Sequence, residues 1–228
     1  MSAKLQWLGH GSWLIECKGH RLLLDPFLND NPSAKMKADE LDNIGHILVS
    51  HGHADHVGDT ASIAKRCQSQ VLAMVEVAGW LESQGVANTV GMNLGGSFSL
   101  PFGAVQMVPA LHSSSMPDGS YGGNPAGFVF TFDHTRIYFA CDTALFSDMQ
   151  LIGRKGIDTA ILPIGDHYTM GPRDSVEAIK LIRPRQVLPA HYNTWPVISQ
   201  DAAAWARLVT SETDAKPVVL QVNDTLEL

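Results

Sequence analysis

The sequence has few cysteines, no excess of positive charge and no long apolar run. Its three cysteines, Cys17, Cys67 and Cys141, are odd in number and widely spaced. That argues against a disulfide framework and fits a reducing compartment. Lys and Arg number 16 against 23 Asp and Glu, a net charge of −7. The chain therefore has no general basic field to attract nucleic acid or an anionic membrane. No stretch approaches the roughly 20 apolar residues that cross a bilayer, and Met1–Leu8 lacks the charged-then-apolar pattern of a secretory signal. These absences lead us to expect a cytoplasmic protein with a small-molecule substrate, no membrane partner and no nucleic-acid partner. A homo-oligomer stays open. No low-complexity segment or linker marks a boundary, so one domain over residues 1–228 is expected.

What is present is strand-rich early and strand–helix alternating later. Short apolar or alternating runs at Lys4–Leu8, Ser12–Cys17 and Arg21–Asp25 read as strands, parted by Gly-His turns. The polar segment Asn29–Asp42 reads as a mobile loop or flap. His46–Ser50 reads as a buried strand, with helical spacing over Val57–Cys67. A strand at Val71–Val75, a helix at Val77–Gln84 and a hairpin of Ser97–Leu100 with Ala104–Ala110 follow. After a Ser/Gly-rich loop, His112–Pro125, strands are expected at Gly127–Phe132, Arg136–Ala140, Thr159–Pro163 and Gln186–Pro189. Helices are expected near Phe146–Arg154, at Pro172–Ile182 and at Gln200–Ser211. Pro172 suits a first helical position. Pro217–Val222 and Thr225–Leu228 read as closing strands.

The chemistry concentrates in His51-Gly-His53-Ala-Asp55-His56, which leaves a strand and enters a helix. Four potential ligands fall within six residues. Imidazole and carboxylate suit zinc, manganese, iron and nickel. A loop can fold these side chains inward together, whereas a straight strand would send neighbours to opposite faces. One such histidine would be an ordinary cap or surface residue, but four are too dense for that. His112, Asp142 and His191 each follow a short apolar strand, and carboxyl ends of strands in open α/β arrangements converge on a ligand-binding edge. Singly, His112 could be a loop histidine and Asp142 a helix N-cap. As a set they read as metal ligands.

The order His-x-His-x-Asp-His, then a lone His, a lone Asp and a final His, resembles the metallo-β-lactamase superfamily. The segments Trp7–Ser12, Leu24–Phe27, Gly165–Pro172 and Pro189–Pro196 are similar to its branch of metal-dependent hydrolases related to the ascorbate-6-phosphate lactonases. The resemblance implies an α/β (α+β) fold, a four-layer αββα sandwich with the site at one edge. It implies two divalent cations, with zinc expected and manganese, iron or nickel as alternatives. His51, His53 and His112 would hold the first, Asp55, His56 and His191 the second, and Asp142 would bridge them. The implied activity is hydrolysis by water activated at that dinuclear site, with Asp55 as the catalytic residue that orients the nucleophile. The expected substrate is a small lactone, ester or phosphorylated metabolite. A metal-dependent phosphodiesterase or nuclease is the alternative, and a non-catalytic metal-binding protein a second. Di-iron flavin members of the superfamily carry Glu where this chain has His53, which favours hydrolysis.

Six further residues are candidates for substrate contact or for orienting a ligand. They are His10 in a Gly-rich turn, Asp25 at a strand end, Asp166 and His167 after Thr159–Ile164, and Tyr192 and Asn193 after His191. Each also has a plain structural reading, as a turn or second-layer residue. Cys141 beside Asp142 reads as a small buried hydrophobe.

Overall fold

The computed structural model describes residues 3–228. Met1 and Ser2, within the single domain expected over 1–228, lie outside the described residues. The chain divides into two compact units. The first comprises the chain up to Gly96, then Ser113–Pro125 and Leu220–Leu228; the second comprises Ser97–His112 and Ala126–Val219.

The first unit is built on strands β1 (Lys4–Gly9), β2 (Ser12–Cys17), β3 (His20–Leu24), β4 (His46–Val49), β5 (Gln70–Met74) and β6 (Thr89–Met92), with β14 (Thr225–Glu227) at the end of the chain. They pair in the order β14-β1-β2-β3-β4-β5-β6. β1, β2 and β3 form an antiparallel meander, and β3 to β6 run parallel. Because two reversals restore direction, β1 also runs with β3. The carboxyl ends of β1, β3, β4 and β5 therefore share one edge of the sheet. Leu22, Leu23, Ile47, Leu48, Val71 and Leu72 are fully buried, as continuous apolar runs in parallel strands should be.

The helix expected over Val57–Cys67 is broken into α1 (Ala54–Val57) and α2 (Thr60–Cys67). The reason is tertiary. Between them, Asp59 accepts hydrogen bonds from the Leu28 and Asn29 amides at 2.7 and 3.0 Å, and its own amide donates to the Pro26 carbonyl. α3 (Val75–Ser83) follows β5 directly. The Asn29–Asp42 segment is not the flap its polarity suggested. Arg66 of α2 donates to the Ala38 and Leu41 carbonyls, both at 2.7 Å, and Leu41 within the segment, like Leu28 and Ile44 at its two ends, is fully buried.

The second unit holds β7 (Ser97–Leu100), β8 (Gly103–Pro109), β9 (Ala126–Phe132), β10 (Thr135–Phe139), β11 (Thr159–Pro163), β12 (Gln186–Ala190) and β13 (Lys216–Pro217) in the order β13-β12-β11-β10-β9-β8-β7. β10, β11 and β12 are parallel, while β9 is antiparallel to both β8 and β10. β8 thus runs with β10, and the carboxyl ends of β8, β10, β11 and β12 share an edge. Helices α4 (Met149–Gly153), α5 (Pro172–Ile182) and α6 (Ala202–Glu212) accompany this sheet. Asp201 caps α6 by accepting from the Ala204 amide at 2.9 Å, and Trp205 of α6 donates to Ser175 of α5 at 2.7 Å.

The strand expected at Pro217–Val222 is wrong beyond its first residue. β13 pairs with β12 only at Gln186–Lys216 and Val187–Pro217. Val218 still donates to Val187, but Pro189 has no N–H with which to continue the ladder. β6 carried too little apolar alternation to be expected.

Candidate metal centre

In the first unit three strand ends deliver the chemistry: β1 delivers His10, β3 delivers Asp25, and β4 delivers Ser50 and the 51–56 motif. His10, Ser50, His51 and His56 are fully buried, and Asp25 is nearly so. A buried carboxylate must be fully hydrogen-bonded to be tolerated. Asp25 meets that demand with three donors. Its Oδ1 accepts from the Ser50 amide at 2.7 Å. Its Oδ2 accepts from the Ser50 hydroxyl at 2.6 Å and from His56 Nδ1 at 2.8 Å.

Those bonds decide two tautomers. A carboxylate only accepts, so the proton of His56 sits on Nδ1 and Nε2 keeps its lone pair. The Ser50 hydroxyl spends its proton on Asp25. At 2.9 Å from His51 Nδ1 it must accept, which puts the His51 proton on Nδ1 as well. One carboxylate therefore leaves Nε2 of both His51 and His56 as lone-pair donors, the form that binds a cation. His51 Nε2 lies 3.0 Å from His53 Nδ1, close to the separation of about 3.3 Å for two imidazole nitrogens on one tetrahedral zinc. The His51 and His56 rings are 4.2 Å apart.

Asp55 faces the same region. Its Oδ2 is 3.0 Å from His10 Nε2 and 3.7 Å from His56 Nε2, and ligand atoms of His10, Asp55 and His56 all lie within 4.8 Å of one another. Access is graded: His51 and His56 are buried, whereas His53 and Asp55 are partly exposed. Gly52, between two of the histidines, is required by a close approach. A β-carbon there would come within 2.5 Å of Met116 Sδ and 2.9 Å of the Ser115 carbonyl. The 113–125 loop is held against the motif by a 3.1 Å bond from the Gly52 amide to Ser114 Oγ, and Ser113 Oγ is 3.4 Å from His53 Nε2.

In the second unit β8, β10 and β12 deliver His112, Asp142 and His191. Asp142 Oδ2 is the hub, 3.0 Å from His191 Nε2 and 3.6 Å from His112 Nε2. Thr143, fully buried, accepts from the Leu111 amide at 2.9 Å, so the segments before His112 and after Asp142 are stitched together. Cys141 and His191 adopt left-handed backbone, with φ of 54° and 53°. Such conformations cost non-glycine residues about 1–2 kcal/mol and here redirect the side chains that follow a strand. A β-carbon on Gly165 would lie 2.2 Å from the His191 carbonyl, which packs the end of β11 against that of β12.

The remaining candidates divide. His10 lies against Asp55, and Asp25 holds Ser50 and His56. Asp166 and His167 are exposed, both left-handed (φ 62° and 45°), and Asp166 Oδ1 accepts from the His167 amide at 2.9 Å. Tyr192 is buried, and burial pushes its phenol up to about 12. Asn193 uses its side-chain oxygen to accept from the Gln200 amide at 2.7 Å, holding a turn. Sequence reasoning missed Ser50 and Thr143 as positioning residues. The Ser-His step at the end of β4 was the available signal for Ser50; Thr143 had none beyond its place after Asp142.

A divalent cation fits these donors. Each unit offers imidazole nitrogens directed at a neighbouring nitrogen or carboxylate oxygen, and the protonation imposed by Asp25 is the metal-binding one. Comparison with known proteins agrees. Residues 20–192 match the family model described as the beta-lactamase superfamily domain. The chain belongs to the metallo-β-lactamase superfamily. Among its relatives, a UPF0173 metal-dependent hydrolase of Thermus thermophilus is 48% identical over 204 residues, 90% of each chain. Another from Deinococcus radiodurans is 43% identical over 227 residues, 99% of each. Igni18, a metallo hydrolase of Ignicoccus hospitalis, superposes with a TM-score of 0.90 at 32% identity, covering 100% of this chain and 99% of that one. These likenesses establish the metallo-β-lactamase type of α/β fold and membership in a family of metal-dependent hydrolases. No helix among the described residues is long and apolar enough to cross a membrane.

Proposed function

We propose that the chain hydrolyses a small lactone, ester or phosphorylated metabolite at a dinuclear centre. His51, His53, Asp55 and His56 of the first unit and His112, Asp142 and His191 of the second hold the two cations, with zinc the expected metal. The observation that carries this is the Asp25–Ser50 hydrogen-bond web, which puts the proton of both His51 and His56 on Nδ1, the tautomer that can bind a cation through Nε2. A purely structural role for these histidines would not require a buried carboxylate to fix both tautomers.

Bound cations would supply Lewis acidity toward water and toward the substrate's carbonyl or phosphoryl oxygen. The protein's own groups do the rest. Asp55, partly exposed and 3.0 Å from His10 Nε2, is placed to orient the attacking water and accept its proton. His10, buried, holds that carboxylate in position. Asp25 and Ser50 keep two imidazoles aimed. In the reaction the water oxygen bonds to the electrophilic carbon or phosphorus, the bond to the leaving oxygen breaks, and that oxygen takes up a proton.

Elemental analysis of purified protein, beside assays on lactones, esters and a generic phosphodiester, tests the reading. Two equivalents of metal and metal-dependent cleavage of a lactone or ester are expected. Faster metal-dependent cleavage of the phosphodiester would favour a phosphodiesterase. Protein that takes up neither zinc nor manganese would overturn the proposal.

A further inference from the structure

The histidines of the 51–56 motif share one arrangement: a side-chain oxygen stands at one ring nitrogen of each. Ser50 Oγ lies 2.9 Å from His51 Nδ1, and Asp25 Oδ2 lies 2.8 Å from His56 Nδ1. His53 is turned the other way. Its Nδ1 faces His51 Nε2 at 3.0 Å, so its outer nitrogen is Nε2, and there Ser113 Oγ stands at 3.4 Å. Asp25 and Ser50 are buried, whereas Ser113 is exposed. An exposed hydroxyl holds a place against an imidazole only if the backbone that carries it is fixed.

That backbone is fixed, and each contact that fixes it lies within the first unit. Residues 113–122 form a narrow hairpin. Ser115 and Tyr121 make an antiparallel bridge. The Met116 amide donates to the Ser120 carbonyl at 2.8 Å, and the Gly122 amide to the Ser114 carbonyl at 3.1 Å. Ser114, next to Ser113, is held twice: its Oγ accepts from the Gly52 amide at 3.1 Å and donates to the Gly122 carbonyl at 2.9 Å. At the tip, Asp118 Oδ2 accepts from the Trp80 indole of α3 at 2.7 Å, while Oδ1 accepts from the Ser120 amide and hydroxyl at 2.9 and 2.6 Å. The hairpin is thus fastened to α3 at its tip and to the motif at its base, where Ser113 lies.

We propose that Ser113 is a positioning residue: its hydroxyl steadies the His53 ring with Nδ1 facing His51 Nε2, so that the two nitrogens can bind one cation. This rests on the metal-dependent hydrolase reading above. A hydroxyl suits the place because it can both donate and accept. The web behind His51 keeps a lone pair on its Nε2, and two lone pairs 3.0 Å apart repel. Without a cation, the proton of neutral His53 therefore belongs on Nδ1, bonded to His51, and Ser113 donates to Nε2. When Nδ1 gives its lone pair to a cation the proton belongs on Nε2, and Ser113 accepts from it. His51 and His56 are held in one tautomer throughout; His53, backed by a hydroxyl, is the one that changes.

The test is titration of the zinc-free protein with zinc, followed by chelator competition and by long-range proton–nitrogen NMR spectra of the histidine rings. Ser113→Ala should weaken the binding of one zinc equivalent by about tenfold, the lower end of the range for outer partners of a ligand. Ser113→Thr, which keeps a hydroxyl, should stay close to the wild type, and Ser115→Ala in the same hairpin should match it. In the wild type the His53 proton should move from Nδ1 to Nε2 as zinc is added, while His51 and His56 keep theirs on Nδ1. Zinc affinity unchanged in Ser113→Ala, or a His53 proton on the same nitrogen with and without zinc, would overturn this inference and leave the hydrolase reading standing. An equal loss in Ser115→Ala would trace the effect to the hairpin as a whole and refute the role of Ser113. Wild-type protein that takes up neither zinc nor manganese would overturn both readings.

Discussion

The two units supply candidate ligands by opposite strategies. The first packs four of them into one six-residue segment and aims two of these, His51 and His56, with a buried hydrogen-bond web centred on Asp25. The second takes one residue from each of three strand ends and aims them with left-handed backbone and one buried threonine. A web of side-chain bonds is sensitive to deletion of any member, whereas backbone geometry is spread over many bonds. The first unit's candidate ligands should therefore be the more sensitive to changes behind them, and the second unit's to loss of its single hub.

The largest effect tests that hub. Asp142→Ala is expected to lower kcat/KM by well over the hundredfold or so seen on losing an outer partner, with less metal retained on elemental analysis. Near-normal activity and metal content would remove Asp142 from the centre. Next, Asp25→Ala should cost roughly 10–100-fold in metal affinity or activity, because the tautomers of His51 and His56 are no longer imposed. Competition with a chelator would measure it. Ser50→Ala breaks one arm of the same web and should cost about tenfold, at the lower end of that range. Thr143→Val in the second unit should cost clearly less. If Thr143→Val proves as damaging as Ser50→Ala, the contrast between the units fails.

Two smaller effects are on stability. Gly52→Ala should destabilise by about 1–3 kcal/mol, the cost of overpacking, since Met116 and the Ser115 backbone must shift; denaturant unfolding would show it. Cys141→Gly should stabilise by up to about 1 kcal/mol by relieving left-handed strain, visible as a raised Tm. A lowered Tm would mean that the packing of Cys141 outweighs its strain.

Legibility followed the same division. The 51–56 motif stands out in the sequence by its density of imidazole and carboxylate groups alone. The isolated residues His112, Asp142 and His191 gained meaning only from their common position after strands, and the parallel course of β8, β10 and β12 shows why that position matters. Helix and strand periodicity located most elements, from β2 to α5. It failed where a distant partner decided the outcome. Asp59 split one helix by capping the Leu28 and Asn29 amides, Pro189 cut short the last strand of its sheet, and Arg66 turned a polar segment into a fixed one.

By itself the sequence determined the donor types, their order and the strands they follow, because apolar periodicity and side-chain chemistry are local properties. Only the tertiary structure decided which nitrogen of His51 and of His56 carries the proton, since that choice belongs to Asp25 and Ser50, and Asp25 reaches the motif only when β3 pairs with β4. It alone also decided which apolar residues stay exposed. Exposure is a property of what surrounds a side chain, and no local pattern encodes it.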